Sequence, residues 1–273
     1  MGGKRSPFER EKNRFVLQER DKRILAVLYD YRFLTNEQVQ ILLIFGCLTR
    51  VNIRLRKLYD NQYLSRNFLA NPFGRAKIVH LIGPEAVNVL SEDLKIDPAI
   101  VGKNRRRFLK MRESDFRRYL LFNDLRINLV LACRKLPEVA IETVMMGRQT
   151  LLKSEKTFYP DIYFRCRRQN QSFNFFVEME DGSTRGKRFQ EKMEKYLKYG
   201  LEGYFEKQFG FKFFRVLIVC PGQTRLKTLL NAVQRKTDKM FWLTTWEMMA
   251  KDRIFDNIWV RPNKEGLFSI LEV

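Results

Sequence analysis

Three acidic residues in the middle of the chain are spaced to hold a divalent cation. Asp161 follows Pro160 in the extended-looking run FYPDIYF, and Glu178 and Glu180 close the next such run, FNFFVEME, with the turn-forming stretch RRQNQS between them. If the two runs pair as a hairpin, the start of the first lies beside the end of the second, and Asp161 meets Glu178. Mg²⁺ or Mn²⁺ takes oxygen ligands in an octahedron, commonly one or two carboxylates completed by waters and a substrate phosphate. Asp161, Glu178 and Glu180 are therefore the candidate metal ligands.

In a hydrolytic site of this type a lysine normally sits two residues beyond the second acid, where it can orient water and offset charge in the transition state. That place holds Glu180. Alternation along a strand puts Glu178 and Glu180 on one face, where two carboxylates deepen the negative potential but cannot do what a lysine does. A lysine from the following helix is the substitute, Lys192 first and Lys187 second. The candidate catalytic group is Asp161, Glu178, Glu180 and Lys192. A plainer reading stays open: Asp161 serves a turn, the Glu pair edges a solvated strand, and Lys192 is a surface cation.

Other chemistries are excluded by residue type. His80 is the only histidine, so HExxH and paired-histidine nicking sites are absent; it alternates with Val79 and Leu81 and is expected to be structural. Cys47, Cys133, Cys166 and Cys220 are too scattered for a CxxC pair, which fits reduced thiols in a cytoplasmic protein. No run approaches eighteen apolar residues. The opening MGGKRSPFEREKNR lacks the apolar core of a signal peptide and reads as a basic flexible arm over residues 1–16. Neither a membrane partner nor secretion is expected.

The formal charge is +21, and it is spread over the chain: +11 over residues 1–110 and +10 over the remainder. A folded, non-repetitive chain with this balance suits a polyanion, because each phosphate contact releases a counterion. Apolar and charged fractions of 45% and 30% belong to an ordinary globular protein.

The first half predicts helices over LQERDKRILAVLYD and, after the capping-box pair Thr35 and Gln38, over NEQVQILLIF. A third helix, TRVNIRLRKLYDNQYL, divides by face. Val51, Leu55, Leu58 and Tyr59 fall on one side, and Arg50, Arg54, Lys57 and Asn61 recur at four, three and four residues on the other. YLSRN and KIVHLI, joined by NPFGRA, make a hairpin. Three helices and a hairpin is winged-helix order, with the third helix in the major groove and wing cations Arg75 and Lys77 on phosphates. The domain is expected over 17–92. Residues 93–115 shift in composition and read as a linker, whose Arg105, Arg106 and Arg107 can track a DNA backbone.

The second half, 116–273, predicts a helix, three strands, a helix, a strand, a helix and a strand: the layout of a restriction-endonuclease-like core of the PD-(D/E)xK type. The fold class is α+β in two domains. On the helix after FNFFVEME, capped by Ser183 or Thr184, the predicted core stripe is Phe189, Met193, Tyr196, Leu197, Gly200 and Leu201. Arg185, Arg188, Lys192, Lys195 and Tyr199 run beside it; Arg185 and Arg188 are further DNA-contact candidates.

With these elements in place the chain resembles the replication-relaxation family of plasmids and integrative conjugative elements. The resemblance lies in RDKRILAVLYDYRFLTNEQVQILLIF, RLRKLYDNQYL and HLIGPEAVNVL, then YPDIYF, FFVEMEDGST and the helix bearing Lys192 and Tyr196. It implies DNA binding in support of plasmid replication and relaxation of supercoiled DNA, with a nuclease-like second domain. Glu180 and Asp181 both follow Glu178, and which matches the family's acidic position is open. Double-stranded DNA is the expected partner, with a relaxase or replication initiator, or a second copy of the chain, as further ones. The alternatives are an active Mg²⁺-dependent endonuclease and a transcriptional regulator with an αβ effector domain.

Overall fold

The computed structural model describes residues 15–70, 76–154, 157–180, 182, 186–250 and 252–272. It is an α+β protein with two sheets, and the chain divides into two compact units, Met1–Ile127 and Asn128–Val273.

In the first unit α1 (Glu19–Tyr31) leads through β1 (Leu34–Thr35) to α2 (Asn36–Leu43) and α3 (Leu48–Asp60). The hairpin strands β2 (Leu64–Leu69) and β3 (Lys77–Ile82) follow, then α4 (Ala86–Leu94) and α5 (Pro98–Leu109). The sheet is antiparallel with order β1-β3-β2. Thr35 starts α2 as its sequence promised: its hydroxyl accepts the Gln38 N–H at 3.3 Å and its own N–H donates to the Gln38 side chain at 3.0 Å. β1 is only two residues long, too short for periodicity to mark it in the sequence. Gly83 closes β3 against the α3–β2 junction, where a Cβ would lie 2.1 Å from the Gln62 carbonyl oxygen. Of the α1 face expected in the core, Ile24, Leu25 and Leu28 are buried and Tyr29 is half-buried; Val51, Leu55, Leu58 and Tyr59, the stripe predicted for α3, are all buried.

The expected linker is largely helical. α5 begins at Pro98, with Asp97 as its cap accepting the Ala99 N–H at 2.7 Å. The front of α6 (Glu113–Lys135) also belongs to the first unit. Phe116 and Leu120 pack with Phe33, Leu69, Val79 and Leu81. Asn123 is buried, and its amide donates to the carbonyls of Tyr31 at 3.2 Å and Phe33 at 2.7 Å. These contacts carry the unit past residue 92 to Ile127.

The second unit is built on a five-stranded sheet, β4 (Val139–Met146), β5 (Ile162–Arg168), β6 (Gln171–Met179), β7 (Arg215–Cys220) and β8 (Phe241–Thr245), in that spatial order. β4, β5 and β6 are antiparallel, whereas β6, β7 and β8 are parallel. Parallel neighbours need crossovers, and α7 (Gly186–Leu201) and α9 (Gln223–Gln234) supply them. One sheet face carries Tyr163, Phe176, Val216, Ile218 and Leu243 into a core with Met193, Tyr196, Tyr199, Leu226 and Leu229 of these helices.

The helix after β6 stops at Leu201, and α8 (Tyr204–Phe209) starts afresh behind Gly203, whose φ of +70° suits glycine. Leu201, expected in the core, is 85% exposed, while Tyr199, expected with the basic residues beside the core stripe, is fully buried. The last strand ends at Thr245, which caps α10 (Trp246–Met249) by accepting the Met248 N–H at 3.2 Å. Ser183 and Thr184, the expected caps of α7, lie outside the described residues. Among the described residues no single helix is long and apolar enough to cross a membrane.

Candidate functional site

The β5–β6 register pairs Ile162 with Val177, so the next positions outward set Asp161 opposite Glu178. Both share the sheet face of Tyr163 and Phe176, the one α7 covers. The Asp161 carboxylate is buried and Oδ2 accepts the Met179 N–H at 2.9 Å, which ties it across the strand pair.

α7 completes the site. Its buried side, Phe189, Met193 and Tyr196, presses on the sheet and carries Lys192 and Tyr196, one turn apart, to the end of β6. The Lys192 ammonium donates to Glu178 Oε2 and the Tyr196 hydroxyl donates to Oε1. Burial pushes the Glu178 carboxyl up to about 7; Lys192 pulls against this, and the neighbouring Asp161 charge adds to it. Burial, and then Glu178, hold the Tyr196 hydroxyl well above its usual range.

The structure thus brings together Asp161, Glu178 and Lys192 of the predicted group, and adds Tyr196 as a hydrogen-bond donor. Glu180 goes elsewhere. It shares the face of Glu178 but is held by Arg225 of α9, whose Nε donates to Oε2 at 3.0 Å with a second guanidinium nitrogen on the same oxygen; the Gly182 N–H reaches Oε1 at 3.0 Å. Glu180, expected as a third metal ligand, is therefore held in a buried ion pair with Arg225. No spacing in the sequence connects it to Arg225.

The two remaining carboxylates fit a divalent cation. They are hard oxygen donors on adjacent strands, which is the number Mg²⁺ commonly takes from a protein. Burial is the main cause that raises Glu178, and the Asp161 charge adds to it; a cation between the two carboxylates would offset that added repulsion. Among the described residues no group of three or more His, Cys, Asp or Glu side chains gathers as a ready-made metal cluster, so the fit is to two carboxylates.

The basic candidates separate by exposure. Arg50 and Lys57 are exposed on α3, and Lys77 at the start of β3. Arg54 is turned inward: its guanidinium forms a two-point ion pair with Asp21 of α1, which is fully buried, and lies 4.8 Å from the ring centroid of Phe15. Arg54, expected among the DNA contacts, is thus held inward by Asp21. Position 54 borders the buried Val51, Leu55 and Leu58, and an acid across from it on α1 draws it in. Asn61 is the C-cap of α3, donating to the Lys57 carbonyl at 2.9 Å. Arg106 and Arg107 are exposed in the last turn of α5, Arg105 is half-buried beside them, and Arg188 is exposed on α7. Arg75 and Arg185 lie outside the described residues.

A family model described as Replication-relaxation matches residues 25–213. The match spans both units and takes in Asp161, Glu178, Lys192 and Tyr196. No curated protein and no solved structure matches the chain.

Proposed function

The chain belongs to the replication-relaxation family, and on that premise we propose that it is a duplex-DNA-binding protein acting in the replication, relaxation or mobilisation of a plasmid or integrative conjugative element. The first unit is a winged helix that lays α3 in the major groove. Support comes from the order α1-β1-α2-α3-β2-β3 with sheet order β1-β3-β2, which leaves the α3 face of Arg50 and Lys57 exposed. That exposed basic face, on a chain of charge +21, carries the proposal. The test is a binding series against salt with duplex DNA. A steep log-log slope, reduced by about one for each of Arg50→Ala and Lys57→Ala, supports it; a shallow slope unchanged by both overturns it.

The second unit is a nuclease-like core. Its element order from α6 to β7, with an antiparallel β4-β5-β6 meander and a parallel crossover to β7, supports this reading. The Asp161, Glu178 and Lys192 group favours a second reading of the function, a Mg²⁺- or Mn²⁺-dependent DNA endonuclease. A divalent cation held by the two carboxylates would polarise a phosphodiester and acidify an attacking water. Asp161 and Glu178 would hold it, Tyr196 would orient the Glu178 carboxylate, and Lys192 would bring a positive charge from α7 to the place the missing strand lysine would serve. Supercoiled plasmid incubated with Mg²⁺ or Mn²⁺ decides between binder and enzyme. Nicked or linear product from the wild type and none from Asp161→Ala establishes cleavage; no product from either leaves a binding protein.

A further inference from the structure

His80 is the only histidine and is fully buried on β3. Its Nε2 lies 2.6 Å from Oδ1 of Asn36, the first residue of α2, and Asn36 Nδ2 donates to Oδ1 of Asn52 on α3. Burial and the nearby Arg66 charge lower the imidazole pKa to about 3, so the ring is neutral and carries one proton. Nδ1 is buried and has no hydrogen-bond partner among the described residues. An orphaned buried N–H is rarer and more costly than an orphaned lone pair, so the proton sits on Nε2.

That one proton sets the polarity of the whole chain. Nε2–H donates to Asn36 Oδ1, Asn36 Nδ2 donates to Asn52 Oδ1, and the Asn52 amide nitrogen remains for an outside acceptor. Asn52 is exposed between Arg50 and Lys57. Folding does not require this arrangement, because water would serve an exposed amide as well. The bond from Asn36 nonetheless orients the Asn52 amide, and Asn36 is itself held from β3 by His80.

We propose that Asn52 reads a base edge, preferring adenine, with Asn36 and His80 as its positioning residues. The inference rests on the reading of α3 as a major-groove helix. Adenine presents the N7 acceptor beside the N6 amino donor. Asn52 Nδ2–H meets N7, and the second lone pair of Oδ1 accepts from N6. Guanine sets its O6 against Oδ1 and is disfavoured.

Selection of binding sites from a random duplex pool by the full chain, followed by affinity measurements with each base pair at each selected position, tests this. The wild type is expected to prefer A·T at one position by about tenfold or more. Asn52→Ala removes that preference alone, with melting temperature and salt slope unchanged. Asn36→Ala weakens the same preference although Asn52 is intact, an effect a purely structural role would not confine to one base. Base preferences in Asn52→Ala identical to those of the wild type overturn the inference. A wild type that binds all duplexes equally also overturns it, while leaving the DNA-binding reading standing. A wild type that binds no duplex overturns that reading and the inference with it.

Discussion

Asp161 and Glu178 face each other across the β5–β6 pair, and the backbone N–H of Met179, the residue after Glu178, donates to Asp161 at 2.9 Å. Two carboxylates so placed, one hydrogen-bonded to the strand and the other to Lys192 and Tyr196, would couple proton binding to the binding of a divalent cation on the endonuclease reading.

The first expectation concerns pH. Glu178 holds its proton more tightly folded, at about 7, than in the unfolded chain, near 4.5. The stability from this group is full below about 4.5 and is lost as the pH rises through about 7. The wild-type melting temperature should fall across that window relative to Glu178→Gln. Stabilisation by Mg²⁺ should grow over the same window, because the cation displaces the proton, and should vanish in Asp161→Ala. Mg²⁺ stabilisation that is flat with pH counts against the pair as a metal site.

Glu180→Lys restores the expected strand lysine in sequence terms, yet the fold sets that lysine against Arg225. The side chain of Glu180 is only 4% exposed, so the substitution should destabilise the second unit by about 3 kcal/mol and should not create or raise plasmid cleavage. Chemical denaturation and a nicking assay on the same variant check both outcomes. Increased cleavage from a stable Glu180→Lys protein would refute the assignment.

Arg54 and Arg50 look alike in sequence and should behave differently. Arg54→Ala strands the buried Asp21 carboxylate and is expected to cost about 3 kcal/mol of stability. Arg50→Ala should leave the melting temperature unchanged and lower the salt slope of DNA binding by about one. A thermal melt and a salt titration of both variants separate the roles.

His80 gives the opposite pH trend to Glu178. Its folded pKa is lowered to about 3 from 6.5, so its contribution is present above 6.5 and is lost as the pH falls toward 3. Near pH 5 wild-type unfolding should take up close to one more proton than unfolding of His80→Gln. Calorimetry in buffers of different ionisation enthalpy reads this directly, and equal proton uptake would mean the buried ring is already charged.

Local sequence determined much of this protein. The 3.6-residue stripes of α1 and α3, the Thr35–Gln38 cap, and the β5–β6 hairpin that opposes Asp161 to Glu178 are short-range patterns, visible without a fold. So is the one-turn spacing that lets Lys192 and Tyr196 reach one carboxylate. The tertiary structure decided which charges the fold consumes. Arg54 is taken inside by Asp21, 33 residues away, and Glu180 by Arg225, 45 residues away. His80 acquires an outlet at the surface only because Asn36 and Asn52 come together. Periodicity assigns a residue to a face of its own element. Residues at the border between faces go where an opposite charge or hydrogen-bond partner stands on another element, and only the packing of the elements sets that position.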